Sequence, residues 1–490
     1  MTTSPDALID VAVIGAGPAG VAAAVIAGES GATVVLLDAG PRPGGQYYRR
    51  PADRRVTGAV THPWRAFDDL EARLEALRSA GTVRARHDVT VWSASGAGPF
   101  TLGVRGGERN PDELDRVVAR TVVVATGAYD LPLPFPGWDL PGVMSGGAAQ
   151  SLVKSSGVLP GSRVVVAGTG PFLLAVSATL LEAGAEIAAV VEANSPAPLL
   201  RTAPALLGAW ARGGDLARFV ALLARHRVPY LRRHRVVAAD GVTSLERVTI
   251  APVDRDWRQV DGPRRTIECD ALAVGFGFAT QHELLGQLGC ELRTGADGAT
   301  AATVDTGQRT SVLGVLACGE TTGIGGADLA LVEGLVAGAA AARAVGREPL
   351  LSGRALDAAL AKVRRMRRAQ AALHGAFPVA DGWQDDLRDD TSVCRCEHVT
   401  AGKIRDSIDH LGASDARTVK LMTRAGMGWC QGRMCGFAVE RMCASAEPSS
   451  ALAPSPAPRP AKLPLVTPIS LGALADQAES TSTESHGSQP

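Results

Sequence analysis

The chain has 490 residues, enough for about three domains with large cores. Hydrophobic residues make up 46% and charged residues 20%, as in a globular protein, and 50 basic residues balance 50 acidic ones, which removes the electrostatic case for nucleic acid or an anionic membrane as partner. Eight cysteines are too few for a disulfide scaffold of this length, and five of them crowd into residues 394–443, which in a reducing compartment points to metal or redox chemistry.

Val11 to Ile14 is a short β-branched run suited to a buried parallel strand, and a helix-forming run follows it. Between them lies Gly15-Ala-Gly17-Pro18-Ala19-Gly20, a G-x-G-x-x-G pattern. The first glycine permits a tight turn, the second lets backbone approach a pyrophosphate, and the third lets helix pack on strand. The helix N-terminus supplies free N–H groups and a positive dipole end for that anion. A second strand, Thr33 to Leu37, ends at Asp38, 23 residues after Gly15, where a carboxylate can bind a ribose hydroxyl. The apolar run Val11 to Gly28 nearly reaches membrane-spanning length. Its glycines and Asp10 at its edge favour a nucleotide-binding strand and helix instead, and a cytoplasmic protein without transmembrane segment or signal peptide is expected.

Gly44-Gly45-Gln46-Tyr47 reads as a loop that lets backbone approach a flat ring, or as an ordinary turn. Residues 65–80 have the apolar spacing of a surface helix, and Val89–Trp92 and Phe100–Val104 read as strands of a small meander. Thr121 to Gly127 is a buried strand ending in Thr126-Gly127. The proline-rich Leu133–Gly142 is a crossover loop.

A second unit then echoes the first. Arg163–Ala167 is a strand, Gly168-Thr-Gly170 begins a glycine loop, and a further strand ends at Glu192, 24 residues after Gly168. Leu173 stands at the third glycine position and is expected to push the helix from the strand. Glu192 would favour NAD over NADP. Nicotinamide, another adenine nucleotide and a retained structural fold all stay open. Residues 205–227 read as a helix, and Val236–Ile250 and Thr266–Val274 as strands returning to the first domain. Another strand ends in Gly319-Glu320, ahead of a glycine-rich turn and a helix from Leu329. Glu320 is a candidate ligand or only a residue of the helix start.

Residues 355–373, with Arg364, Arg365, Arg367 and Arg368, read as a basic amphipathic helix with a solvated face. Cys394-Arg-Cys396 and Cys430-x4-Cys435 follow, separated by 33 residues. Four thiolates so arranged can hold a [2Fe–2S] cluster or a structural zinc. Gly426, Gly428 and Gly432 free backbone N–H groups to reach sulfur. Beyond residue 445 the Pro-, Ser- and Ala-rich composition predicts a disordered tail, except for an apolar docking segment at 464–475.

Taken together, these motifs resemble the two-dinucleotide-domain flavoprotein reductases, in the branch that ends in a bacterioferritin-associated-ferredoxin-like [2Fe–2S] domain. They are similar to the A-type subunit of octopine and nopaline oxidases and to the flavoprotein subunits of hydrogen cyanide synthase and dye-linked proline or hydroxyproline dehydrogenases. Part of the chain is similar to the alpha subunit of heterotetrameric sarcosine oxidase. The motifs that carry the resemblance include Gly44–Arg50, Ala125-Thr-Gly127, Pro136–Gly142, Asp270–Phe278 and Glu283–Cys290. The resemblance implies FAD on Gly15, Gly17, Gly20, Asp38, Gln46, Thr126 and Glu320, with Pro18, Ala19, Gly45, Gly127 and Gly319 beside them as further candidate cofactor residues, while NAD(P) or another adenine nucleotide at Gly168, Gly170 and Glu192 stays open. It also favours iron–sulfur over zinc at Cys394, Cys396, Cys430 and Cys435.

The expected fold is α/β, with two Rossmann-like domains, the second inserted in the first. Residues 1–155 and 266–346 form the FAD-binding domain and 156–265 the NAD(P)-type domain. A linker helix at 347–390, an α-rich cluster domain at 391–445 and the tail at 446–490 follow. The expected activity is that of an electron-transfer subunit of an amine- or imino-acid-oxidising assembly. Its expected partners are a glycine-oxidase-like (DAO-type) FAD subunit together with a small ferredoxin-like subunit. The rival is a self-contained NAD(P)H-dependent flavin or ferredoxin-type reductase. A scaffold holding zinc is the non-enzymatic alternative. No residue commits itself to substrate catalysis. No C-x-x-C occurs, which argues against disulfide reduction.

Overall fold

The computed structural model describes residues 7–51, 65–107, 112–195, 213–295, 298–446 and 465–475. The first sheet has seven strands. Six run in the order Val83–Arg86, Val34–Leu37, Ile9–Ile14, Leu114–Val124, Phe100–Arg105 and Thr90–Ser95, and Val315–Ala317 pairs with Leu114–Val124. The expected meander is therefore an antiparallel extension of this sheet rather than a separate unit. Leu114–Val124 is long enough to serve three partners, with Ile9–Ile14 as one of them. Its early half pairs with Phe100–Arg105, and Val122 to Val124 pair in parallel with Val315–Ala317. The Pro18–Glu29 helix is buried along most of its length, because the glycine-rich Ala327–Ala344 helix packs directly on it. A Cβ on Gly334 would lie 2.1 Å from the Ala19 carbonyl, so glycine there is what permits the approach.

Between the two halves of this sheet the chain forms a second one. Five parallel strands run in the order Tyr230–Arg232, Glu186–Glu192, Arg163–Gly168, Ala271–Gly275 and Val143–Ser145. Residues 271–275, expected in the returning half of the first domain, thus belong to the second sheet, where Leu272 and Val274 join its core. The return is made by Val315–Ala317. Three antiparallel strands, His234–Asp240, Arg247–Pro252 and Arg265–Glu268, lie alongside. The helix expected at 205–227 is found as Gly213–Arg225, and its first residues lie outside those described.

Leu173 does not disrupt the second glycine loop. The Phe172–Glu182 helix begins four residues after Gly168, whereas Pro18–Glu29 begins three after Gly15, and Leu173 is buried in the core with Val164 and Val166. The basic helix extends over Gly353–Ala376. Arg364, Arg365 and Arg368 are exposed as expected, but Arg367 is drawn into the protein. The C-terminal domain is a short hairpin, Ser392–Cys394 with Val399–Thr400, and the helices Ala401–Asp409, Ala416–Thr423 and Gly436–Ala446. Of the tail, residues 465–475 are described, and Val466 is buried against the first domain.

Candidate flavin and iron–sulfur sites

The glycines of the first fingerprint divide their work as their positions demand. Gly15 adopts φ +102°, and a Cβ there would lie 2.3 Å from the Ala125 carbonyl oxygen. A Cβ on Gly20 would lie 1.7 Å from the Gly15 oxygen, so only glycine lets this helix meet its strand. Gly17 is different. The nearest atom to its Cβ position is the Cα of Gly45, 4.0 Å away. A Cβ on Gly45 would in turn lie 3.0 Å from the Gly17 Cα, so the two backbones touch, and both glycines line the cavity at the N-terminus of a buried helix, where free N–H groups suit a pyrophosphate.

Asp38 closes the loop. Its carboxylate accepts from the Ala16 amide at 2.5 Å and the Gly40 amide at 2.7 Å. Burial raises its pKa, against the lowering effect of those two amides. Gly45, the exposed Gln46, Pro18 and Ala19 line the same cavity, with Thr126 and Gly127 at the end of the central strand. Thr126 donates to the Gln281 carbonyl at 2.7 Å, and the Gln281 amide donates to the Gly127 carbonyl at 2.9 Å. The cavity spans ≈ 3030 Å³ and also takes in Gly319 and Glu320.

Glu320 accepts from the amides of Gly326, at 2.5 Å, and Gly325, at 3.3 Å, just before the Ala327–Ala344 helix. A residue not anticipated from the sequence holds this loop in place. Glu333, 1% exposed, accepts from the Gly319 amide and the Thr322 hydroxyl and pairs with Arg367 at 2.6 Å. Burial raises the pKa of Glu333, and Arg367 opposes the shift. The available signal was a single acid inside the apolar stretch Leu329–Val336.

The second fingerprint is turned inward. Glu192 is 1% exposed, and its carboxylate accepts from the amides of Gly170 and Asn194 at 2.8 and 2.9 Å. Burial pushes its pKa up to about 7. Gly168 lies against the Gly275 backbone, and the Phe377 side chain lies 3.8 Å from where a Gly170 Cβ would stand. Asn194 further ties the loop down by donating to the Thr169 hydroxyl and the Pro378 carbonyl.

The four C-terminal cysteines form two pairs. The buried Cys435 thiol donates to Cys394, which lowers Cys394 to about 5 and raises Cys435. The exposed Cys396 bonds to Cys430, though burial is the larger cause of its raised pKa. The Gly426 amide donates to the Cys394 sulfur at 3.5 Å. Cys435 also feels the charge of Cys430 and Cys396, so the four thiols lie together. Two pairs of thiols are the donor set of a two-iron cluster, whose irons each take two. All eight cysteines are free thiols. Cys430, Arg433 and Met434 line the same cavity as the glycine loops.

Comparison with known proteins agrees with this geometry. The pyridine nucleotide-disulphide oxidoreductase model matches residues 9–346, and the BFD-like [2Fe-2S] binding domain model matches residues 392–445. The hydrogen cyanide synthase subunit HcnB of Pseudomonas aeruginosa is 33% identical over 436 residues, covering 88% of this chain and 92% of the relative. The A-type subunit of opine oxidase from Agrobacterium tumefaciens is 33% identical over 456 residues, covering 89% and 86%. The structure of L-proline dehydrogenase from P. horikoshii superposes with TM-score 0.64 over 95% of this chain and 79% of that one, at 22% identity. No helix among the described residues is long and apolar enough to cross a membrane. With both dinucleotide folds and a cysteine-bearing domain in one chain, this protein belongs to the pyridine nucleotide-disulphide oxidoreductase family, as an FAD-dependent oxidoreductase with a BFD-like [2Fe–2S] domain.

Proposed function

We propose that this chain is the electron-transferring flavoprotein subunit of an assembly that oxidises the C–N bond of a small amine or imino acid. The observation that carries this reading is the shared cavity, into which the cluster-ligand loop at Cys430–Met434 opens beside Gly15, Gln46 and Gly319. Among the described residues its lining includes no histidine, so none of them offers an imidazole base for substrate chemistry there. A glycine-oxidase-like partner subunit would bind the substrate, and a small ferredoxin-like subunit could complete the assembly. Subunits of opine oxidase and hydrogen cyanide synthase are among the relatives, which supports a heteromer.

Gly15, Gly17, Pro18, Ala19, Gly20 and Gly45 would cradle the FAD pyrophosphate. Asp38 would bind the adenosine ribose, and Gln46, Thr126, Gly127, Gly319 and Glu320 would surround the rest of the cofactor. Bound FAD would supply two-electron acceptance coupled to one-electron release to the cluster on Cys394, Cys396, Cys430 and Cys435. Gly168, Gly170 and Glu192 would retain a structural fold rather than deliver nicotinamide electrons, since Phe377 and Pro378 lie against that loop and its glycines, unlike Gly15 and Gly17, do not line the cavity. The free thiols fit a reducing, cytoplasmic setting.

Production with and without the products of neighbouring genes tests the reading. The lone chain should show flavin and iron–sulfur absorbance but no reduction by amines or imino acids. The complex should contain a second flavoprotein and be bleached by one such substrate. A lone chain that proline or another small amine bleaches directly would overturn it.

A further inference from the structure

We infer that Arg433, together with the segment at Val466, is a positioning device that clamps the cluster-ligand loop onto the flavin domain. Arg433 lies between the ligands Cys430 and Cys435, and its side chain reaches out of the cluster domain altogether. Its Nε donates to Glu283 Oε1 at 2.8 Å, an ion pair whose side chains are only 21% and 10% exposed. One Nη donates to the Val466 carbonyl at 3.0 Å, and the guanidinium lies 5.9 Å from the centre of the Tyr129 ring. Tyr129 stands two residues past Gly127, in a strand paired with Phe278–Thr280, and Glu283 follows that pairing strand. Arg433 therefore grips the two-stranded antiparallel sheet that follows the end of the proposed flavin site.

The contacts close into a circuit. Glu283 begins a short helix whose last residue, Gln287, accepts from the Ala94 amide at 2.9 Å. Two residues earlier on the same strand, the Trp92 carbonyl accepts from the Val466 amide at 2.8 Å. The Val466 carbonyl leads back to Arg433, and Arg105 holds the Pro468 carbonyl beside it. Nothing in this circuit is needed to fold a glycine loop or to ligate iron. What it fixes is the distance from the cluster loop to the flavin chamber. The charge-assisted bonds at its centre are partly buried, where they are strongest. The role in electron passage rests on the functional reading above, whereas the clamp itself does not.

Hydrogen exchange on the full-length holoprotein tests the clamp. Arg433→Met should retain FAD and iron but accelerate exchange of the Val466 amide by roughly ten- to hundredfold, the loss of one or two hydrogen bonds to a charge. Residues 430–436 should loosen together with it. Glu283→Gln should give a smaller change in the same direction. After photoreduction of the flavin, the fast phase of cluster reduction should be lost in Arg433→Met. Unchanged exchange at Val466 in that variant overturns the clamp. If Arg433→Met does not accumulate, Val466→Pro, which removes the amide bonded to Trp92, should mobilise residues 430–436. An unaffected loop in that variant overturns the proposal equally. If the natural chain never passes electrons from flavin to cluster, the electron-transfer reading fails, and the exchange data still decide the clamp.

Discussion

Arg367→Met removes the cation that holds the Gly319–Thr322 turn, both through Glu333 and through its own bonds to the Gly323 carbonyl and the Thr322 hydroxyl. The substitution keeps much of the side-chain volume but leaves Glu333, 1% exposed, without the cation now 2.6 Å away. The Gly319 amide and Thr322 hydroxyl still donate to it, yet two neutral donors do not replace a buried guanidinium. Breaking such a pair costs about 3–5 kcal/mol. For a domain of this size, that corresponds to a melting point lower by roughly 10 °C. The pH dependence follows from the sign of the shift. Burial already raises the Glu333 pKa in the folded chain, and losing Arg367 raises it further. A carboxyl raised in the folded state binds more protons there than in the unfolded chain, so its contribution to stability is full below its ordinary value and falls as pH climbs towards the folded one. The deficit of Arg367→Met should therefore be largest near about pH 8 and shrink towards about pH 5. Adding Glu333→Gln should recover the part due to the stranded charge, while the lost bonds to Gly323 and Thr322 stay lost. Flavin fluorescence on heating reads the transition at the site, and circular dichroism reads it in the fold. A variant within about 1 kcal/mol of the natural chain, or one whose deficit grows on acidification, would refute the reasoning.

Gly20→Val places a side chain 1.7 Å from the Gly15 oxygen and should abolish FAD retention, read as the ratio of visible flavin to protein absorbance, with an overpacking cost of at least about 1–3 kcal/mol. Cys394→Ser should remove iron and the cluster absorbance while FAD stays, since the two sites are built from different elements. Anaerobic mixing with NADH should leave the flavin oxidised on the stopped-flow timescale, because Phe377 and Pro378 lie against the second glycine loop. Rapid bleaching would restore the self-contained reductase.

What could be read from the sequence was what depends on local pattern. The first strand, glycine loop, helix and Asp38 form one contiguous signal, and the structure brings them to the wall of one cavity. The cysteine spacing likewise announced a four-thiol site. Two of the misreadings involve distant partners. Arg367 looked like one cation of a solvated face, because its acid lies 34 residues away on another helix. Residues 271–275 had the composition of any buried strand, and only pairing with Arg163–Gly168 assigns them to the second sheet. Leu173 looked like damage to a glycine motif, but a helix start delayed by one residue accommodates it. The Gly146–Ser156 helix carries small and polar residues with weak apolar periodicity and gave no signal.

The crossover loop at Leu133–Gly142 has a further consequence. Trp138 is 2% exposed, donates to the Ser392 carbonyl and lies under Arg395, at 4.9 Å from guanidinium to ring centre. Around it, Val165 and Val191 of the second sheet and Trp257 from between the antiparallel strands alongside share one continuous apolar core with Val393, Val399 and Val439 of the cysteine-bearing domain. Interfaces of that kind do not open and close as lightly packed ones do. The iron–sulfur unit is therefore no swinging arm carrying charge between docking stations. It is soldered in place, and any electron reaching it must travel through a fixed wire.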